Sequence, residues 1–235
     1  MSSTSLAEAL EKEFVRCRDM DASLGERLRA FADSVTRISP DFQRAVDRLV
    51  SRLMQHNVGE SSPKPGEPMP PFVLPDETGR LVTMEEMLAD GPVAVAFHRG
   101  HWCPYCRINT AALAKAQEEI MADGRQIVAI MPDRQRFAVE FKKEAGAQFP
   151  ILLDPDHGYS LSLNLAFWVD EDMSSLIAQA GYDVPGYQGN ESWVLPVPAT
   201  FVVDSDGKVV ARFIDPDYRK RVEVEDLVAA LNSAQ

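Results

Sequence analysis

The chain has 235 residues, 45% of them hydrophobic, and 24 Lys/Arg against 36 Asp/Glu give a formal net charge of −12. That balance argues against nucleic acid or an acidic membrane as partner, and no apolar run approaches the ~20 residues of a membrane span. The first residues lead into alternating charges rather than the apolar core of an export signal, and three cysteines cannot form a fully paired framework, so a cytoplasmic, reducing home is expected.

Residues 1–56 carry equal numbers of basic and acidic side chains, so the excess negative charge lies beyond them and marks a boundary. Apolar residues at helical spacing predict three helices here. Leu6, Leu10, Phe14 and Cys17 form the first stripe, and Leu24, Leu28, Phe31 and Val35 the second. The third follows Ser39-Pro40, an N-cap with a first-turn proline, and carries Phe42, Val46, Leu49 and Leu53. Such stripes must be buried. They pack either on the main body, as a helical arm, or on a second copy, giving a homodimer joined through the N-terminal helices. Cys17 reads as a small hydrophobe, with a role as resolving thiol for a neighbouring subunit as the alternative. Residues 57–67 form a linker, continued to Pro71 by prolines that sustain neither helix nor interior strand, and 68–235 form the main domain.

In that domain Phe72-Val-Leu and Leu81-Val82 make a hairpin around Asp76–Gly79, and Thr83-Met-Glu-Glu86 has the spacing that starts a short helix. Pro92–Phe97 is a central strand, followed by a helix to about Asp123. Strand at Ile127–Met131, helix at Arg134–Ala145 and strand at Ile151–Asp154 then alternate, as in an α/β layer with parallel strands. Ser160–Trp168 reads as helix and Val169–Trp193 as an irregular insertion. Thr200–Asp204 and Lys208–Ile214 form a second hairpin, and Glu223–Leu231 closes the chain as a helix.

The chemistry centres on Phe97-His-Arg-Gly-His-Trp-Cys103-Pro-Tyr-Cys106, at a strand-to-helix junction. There the unpaired N–H groups and dipole of a helix N-terminus favour a thiolate, and a second cysteine three residues on returns one turn later on the same face. Pro104 suits a first turn, where its missing N–H is not needed.

These stretches resemble the peroxiredoxin-like (alkyl hydroperoxide reductase/thiol-specific antioxidant, redoxin) branch of the thioredoxin superfamily. The opening Gly66–Asp76 hairpin, the Phe97–Cys106 segment, Glu191–Asp204 with Pro198, and Asp215–Arg221 with the last helix carry the likeness. It implies a thioredoxin-like α/β fold, a mixed central sheet flanked by helices with the N-terminal helical arm added. It also implies a cis Val197–Pro198 bond beside the dithiol, with the Val197 backbone open to a partner's extended chain. Departures are clear. Arg99 takes the place of the branch's proline, Cys103 that of its threonine and Cys106 that of its attacking cysteine, while its substrate-orienting arginine aligns with Pro198. The buried carboxylate of thioredoxins falls at Phe97, and the intervening Pro-Tyr matches glutaredoxins.

The expected activity is thiol-dependent reduction of hydroperoxides through a Cys103/Cys106 sulfenate-to-disulfide cycle, without a cofactor, regenerated by an external thiol of thioredoxin or glutathione type. Cys103, expected to be exposed ahead of the helix, is the first choice of nucleophile; the peroxiredoxin register points to Cys106 instead. Arg99 either stands in for the missing arginine or pairs at the surface, and Trp102 either shapes the rim or packs. His98 and His101 lie close enough in sequence to support the thiolate. Trp193, Tyr182 and Tyr187 line the cleft from the insertion or simply pack. Competing readings are a protein-disulfide reductase with little peroxidase activity, a non-catalytic interaction protein, and a metal site made by His98, His101, Cys103 and Cys106.

Overall fold

The computed structural model describes residues 5–234. Each N-terminal helix begins at a serine. Ser5 caps α1 (Leu6–Arg18) by accepting the Glu8 N–H, and the Glu8 carboxylate accepts the Ser5 N–H in return. Ser23 and Glu26 repeat this device at α2 (Leu24–Ile38), and Ser39 with Pro40 opens α3 (Pro40–Gln55). The predicted stripes are the buried faces: Leu10, Phe14 and Cys17, then Leu24, Leu28, Phe31 and Val35, then Val46, Leu49 and Leu53. They join one apolar core with the helices of the main body. The linker is pinned to that body, Gly59 N–H donating to Asn164 and the Ser62 hydroxyl to Leu163.

A hairpin of β1 (Val73–Pro75) and β2 (Leu81–Thr83) and the short α4 (Met84–Leu88) lead to β3 (Val93–Phe97). After α5 (Pro104–Lys115) and α6 (Gln117–Ile120) come β4 (Gln126–Met131), α7 (Gln135–Ala145), β5 (Ile151–Leu153) and α8 (Gly158–Ser162). Then follow β6 (Ala166–Trp168), α9 (Glu171–Gln179), α10 (Val184–Gln188) and β7 (Val194–Pro196), and finally β8 (Ala199–Val203), β9 (Val209–Ile214) and α11 (Val224–Asn232). The central sheet runs β5-β4-β3-β8-β9, with β3, β4 and β5 parallel and β8 and β9 antiparallel.

Alternation along β3 decides how closely the dithiol helix can approach. Val93, Val95 and Phe97 face the core under the β1–β2 hairpin, whereas Ala94 and Ala96 face the α5 side. Small residues on that side let α5 and the helices above it settle near the strand end.

Three local expectations change. The helix after the dithiol breaks at Ala116 (φ −99°, ψ 7°) instead of running on to Asp123. Ser160–Trp168 is not one helix: α8 stops at Ser162, and Ala166–Trp168 pairs with Val194–Pro196 as a small separate sheet. The segment expected to be an irregular insertion contains α9, capped by Asp170, and α10, capped by Asp183.

Candidate active site

β3 delivers the chain to the site, and the His98 N–H extends its ladder to Ile130. Gly100 makes the turn at φ +142°, where a Cβ would lie 2.5 Å from Trp102 Nε1 and 2.7 Å from Asp133 Oδ1. Cys103 is the N-cap of α5 in extended conformation, Pro104 its first helical residue, and Cys106 follows one turn later. Both cysteines are free thiols.

The expected exposure of Cys103 is not found. It is 1% exposed and Cys106 0%, because α1 and α2 lie over the start of α5 and Phe31 packs edge-on against Tyr105. The sulfurs are buried, one helical turn apart on the same helix, and each influences the other's proton affinity. Burial pushes both thiols up, but donors converge on one of them. Cys106 Sγ accepts from the Arg99 N–H and from Arg221 Nη2, each at 3.4 Å. Burial is overcome there by the Cys103 S–H, by His98 and by the Arg221 charge, so Cys106 is held well below the ordinary thiol value. Cys103 moves the other way, raised by burial and then by Cys106 itself. The donor geometry favours negative charge on Cys106 over Cys103.

Arg99 is not a surface arginine. It is 2% exposed, its Cζ 3.8 Å from the Tyr218 ring centroid and 5.1 Å from that of Trp102, and its Nε and Nη2 have no acceptor. Burial works against its charge, but the neighbouring sulfurs and Tyr218 outweigh burial and hold it protonated. Trp102 is itself buried and contacts Tyr182 at 5.7 Å. Arg99, Trp102, Cys103 and Tyr218 meet at a cleft of about 520 Å³ including its open mouth, narrowing to about 40 Å³ wide enough for a water-sized sphere.

His101 turns away from the sulfurs. Its Nδ1 and its backbone N–H both lie 2.8 Å from Asp133 Oδ2, and its ring is stacked 4.4 Å from Phe137 and edge-on to Tyr187. The four-ligand alternative is therefore not assembled; among the described residues no three His, Cys, Asp or Glu side chains are grouped to hold a metal ion. Of the insertion aromatics, Tyr182 lines the cleft, Tyr187 holds His101, and Trp193 is not part of the cleft.

The expectation for Val197 and Pro198 is overturned. Among the described residues there is no cis peptide bond, so Val197–Pro198 is trans. Val197 is fully buried and its N–H donates to Leu165 at 2.8 Å, because β6 and β7 pair just before it and hold it down. It offers no edge to a partner chain. Pro198 instead borders a separate polar groove with Arg221. Cys17 is also fully buried, in the α1 core, which leaves it no path to a neighbouring subunit's thiols.

Two residues of the site escape a reading by motif. Asp215–Arg221 is a loop between β9 and α11 that places Tyr218 under Arg99 and Arg221 against Cys106. The signal in the sequence is Arg219-Lys-Arg221, three cations together in an acidic chain.

A family model described as Redoxin matches residues 64–231. The chain belongs to the redoxin family. It is a thiol-dependent oxidoreductase. Thiol-disulfide oxidoreductase ResA of Bacillus subtilis is 28% identical over 65% of this redoxin and 68% of that protein. The 1-Cys peroxiredoxin PER1 of Triticum aestivum is 25% identical over 72% and 71%. Among solved structures, peroxidoxin BcpB of Mycobacterium tuberculosis superposes with a TM-score of 0.58 at 20% identity, covering 74% of this redoxin and 99% of that chain. The shared fold is the thioredoxin-like one, a mixed central sheet flanked by helices; the matched segment begins at residue 64, after the three N-terminal helices.

Proposed function

We propose that this redoxin reduces hydroperoxides with the Cys103–Cys106 dithiol and is regenerated by an external thiol, for which limited access to the sulfurs favours a small thiol of glutathione type over a thioredoxin, in a reducing, cytoplasmic setting. The observation that carries this reading is the burial of a stabilised Cys106 thiolate under the N-terminal helices. A protein disulfide must bring its own sulfurs into line with an attacking one and find backbone to pair with. Cys103 is 1% exposed and the Val197 N–H is taken, so a small oxidant suits the site better than a protein.

In the proposed cycle the Cys106 thiolate attacks the distal peroxide oxygen and the O–O bond breaks. The Cys103 thiol protonates the departing alkoxide to give the alcohol, while Cys106 becomes a sulfenic acid, oxidised by two electrons. Cys103, now a thiolate, attacks the Cys106 sulfur; hydroxide leaves, takes a proton from solvent as water, and the disulfide forms. Two external thiols then reduce it and leave as their own disulfide. The Arg99 and Arg221 guanidinium groups face the charge that develops on the leaving oxygen. Cys103 replaces Cys106 as the expected attacker only if the proton moves from the higher-pKa sulfur to the lower, which the surrounding donors oppose.

A second reading, reduction of small disulfides, is favoured by one observation: Cys103 is the sulfur that lines the cleft. Rapid-mixing measurements of thiol loss separate the two. The Cys103→Ser variant is expected to react once with hydroperoxide and to yield a trappable sulfenic acid, and Cys106→Ser to lose that reaction. Rapid reaction with small disulfides but none with hydroperoxides would overturn the peroxidase reading.

A further inference from the structure

We infer that the N-terminal helices are the specificity element of this redoxin and that its preferred oxidants are apolar organic hydroperoxides rather than hydrogen peroxide. The inference deepens the peroxidase reading and rests on it.

The cleft above Cys103 has an unusual division of labour. Its floor is the redox machinery: Cys103, and Arg99 with two N–H-bearing nitrogens that find no acceptor in the protein. Its walls are apolar, shared between the arm and body residues such as Trp102, Ile177 and Tyr182. Leu6 and Leu10 of α1, Phe31 and Val35 of α2 and Phe42 of α3 all face it. None of these five residues lies within the segment that matches the family, which begins at residue 64. The family fold thus provides the sulfurs, and the additional helices decide what reaches them.

Chemistry selects the occupant. A buried guanidinium with unpartnered donors needs acceptor oxygens, and the two oxygens of a hydroperoxide supply them. Hydrogen peroxide satisfies Arg99 but leaves the Leu, Val and Phe walls in contact with water. A hydroperoxide carrying an alkyl or aryl body satisfies both, because its body removes those walls from water. Binding energy from a non-reacting part of the substrate can then hold the O–O bond at the floor beside the dithiol, where Cys103 lines the cleft and the attacking Cys106 lies one helical turn on. The products are the corresponding alcohol and, after condensation of the sulfenic acid with the second thiol, water; the electrons come from the external thiol.

The test uses the full-length protein and compares kcat/KM for hydrogen peroxide, tert-butyl hydroperoxide and cumene hydroperoxide. Cumene hydroperoxide is expected to be favoured over hydrogen peroxide by at least tenfold, with tert-butyl hydroperoxide between them. Replacing the mouth residues, Leu6→Gln with Phe42→Gln, is expected to lower that preference at least tenfold. Val15→Gln, on the exposed side of α1, is expected to leave it within twofold. A measurement on the unaltered protein guards against misfolded variants: cumyl alcohol should compete with hydrogen peroxide, and tert-butanol should do so at least tenfold more weakly. Equal or faster use of hydrogen peroxide, or no competition by cumyl alcohol, would overturn the inference while leaving the peroxidase intact. No reaction with any hydroperoxide would overturn both.

Discussion

The guanidinium of Arg221 reaches the sulfur of Cys106 at 3.4 Å, across a sequence separation of 115 residues. The register of the peroxiredoxin branch leaves a proline, Pro198, where an arginine is expected, and Pro198 and Arg221 border the same groove. A positive charge has been returned to the attacking sulfur from a different loop.

Arg221→Met should therefore raise the Cys106 pKa towards the ordinary thiol value of 9.0. The variant should hold less thiolate near neutral pH, so peroxide-driven thiol loss there should slow and recover as pH rises towards the ordinary thiol range. A parallel sign holds for stability. A thiol held low in the folded state contributes stability above its unfolded pKa, and that contribution is lost as pH falls through the folded value. Urea titrations across this window should show a smaller pH dependence in the variant.

Gly100 is a second sensitive point. Its φ is +142°, and atoms of Trp102 and Asp133 stand 2.5 and 2.7 Å from the place a Cβ would occupy. Gly100→Ala should destabilise by about 2 kcal/mol and slow the peroxide reaction by shifting Trp102. Gly158→Ala is the comparison: its surroundings are open, and an alanine in a helical turn should be neutral or stabilise by up to about 1 kcal/mol. Chemical denaturation of both measures the contrast.

One of the residues that tie the arm to the body lies beside the dithiol. Arg107 donates from Nη1 and Nη2 to Glu11 of α1 and from Nε and Nη2 to Glu144 of α7, and its Cζ lies 3.7 Å from the Phe14 ring centroid. Burial works against its charge, but the two carboxylates more than compensate and stabilise it. Arg107→Met keeps some of the packing and removes the ion pairs. It should cost about 1–3 kcal/mol and increase amide hydrogen exchange in α1 more than in the central strands.

Asp133 positions the loop before α5 by accepting both the backbone N–H and Nδ1 of His101. Asp133→Ala leaves a buried N–H without a partner and should destabilise by about 2 kcal/mol. Asp133→Asn, which retains an acceptor oxygen, should restore part of this; equal losses in both variants would argue that the charge itself is what matters. Thermal unfolding of the pair at one pH gives the answer.

How much of this is legible in the sequence follows from the distance over which each feature is decided. The N-terminal stripes, the Ser39 cap and the Cys103–Cys106 junction are set by residues within a turn or two, and spacing and cap chemistry reveal them; the Ser5 and Ser23 caps are seen only in the structure. β6 is hidden because Ala166–Trp168 becomes a strand only by pairing with Val194–Pro196, and α9 because its Asp170 cap sits among other loop-forming residues. Cys103 reads as exposed because nothing near it in sequence covers it; the cover comes from Phe31 and its neighbours, far earlier in the chain. Arg221 and Tyr218 are invisible as site residues for the same reason. A motif reports its own backbone, while the charge and the roof around it arrive from elsewhere in the chain.

The depth of the cysteines also has a practical side. Cys17, Cys103 and Cys106 are all at or below 1% exposure, so a bulky thiol reagent added to the native protein should count close to zero, and three after unfolding. A protein whose sulfurs are silent towards such a reagent could still turn over peroxide rapidly, and silence in a routine labelling assay would say nothing about whether its chemistry is intact.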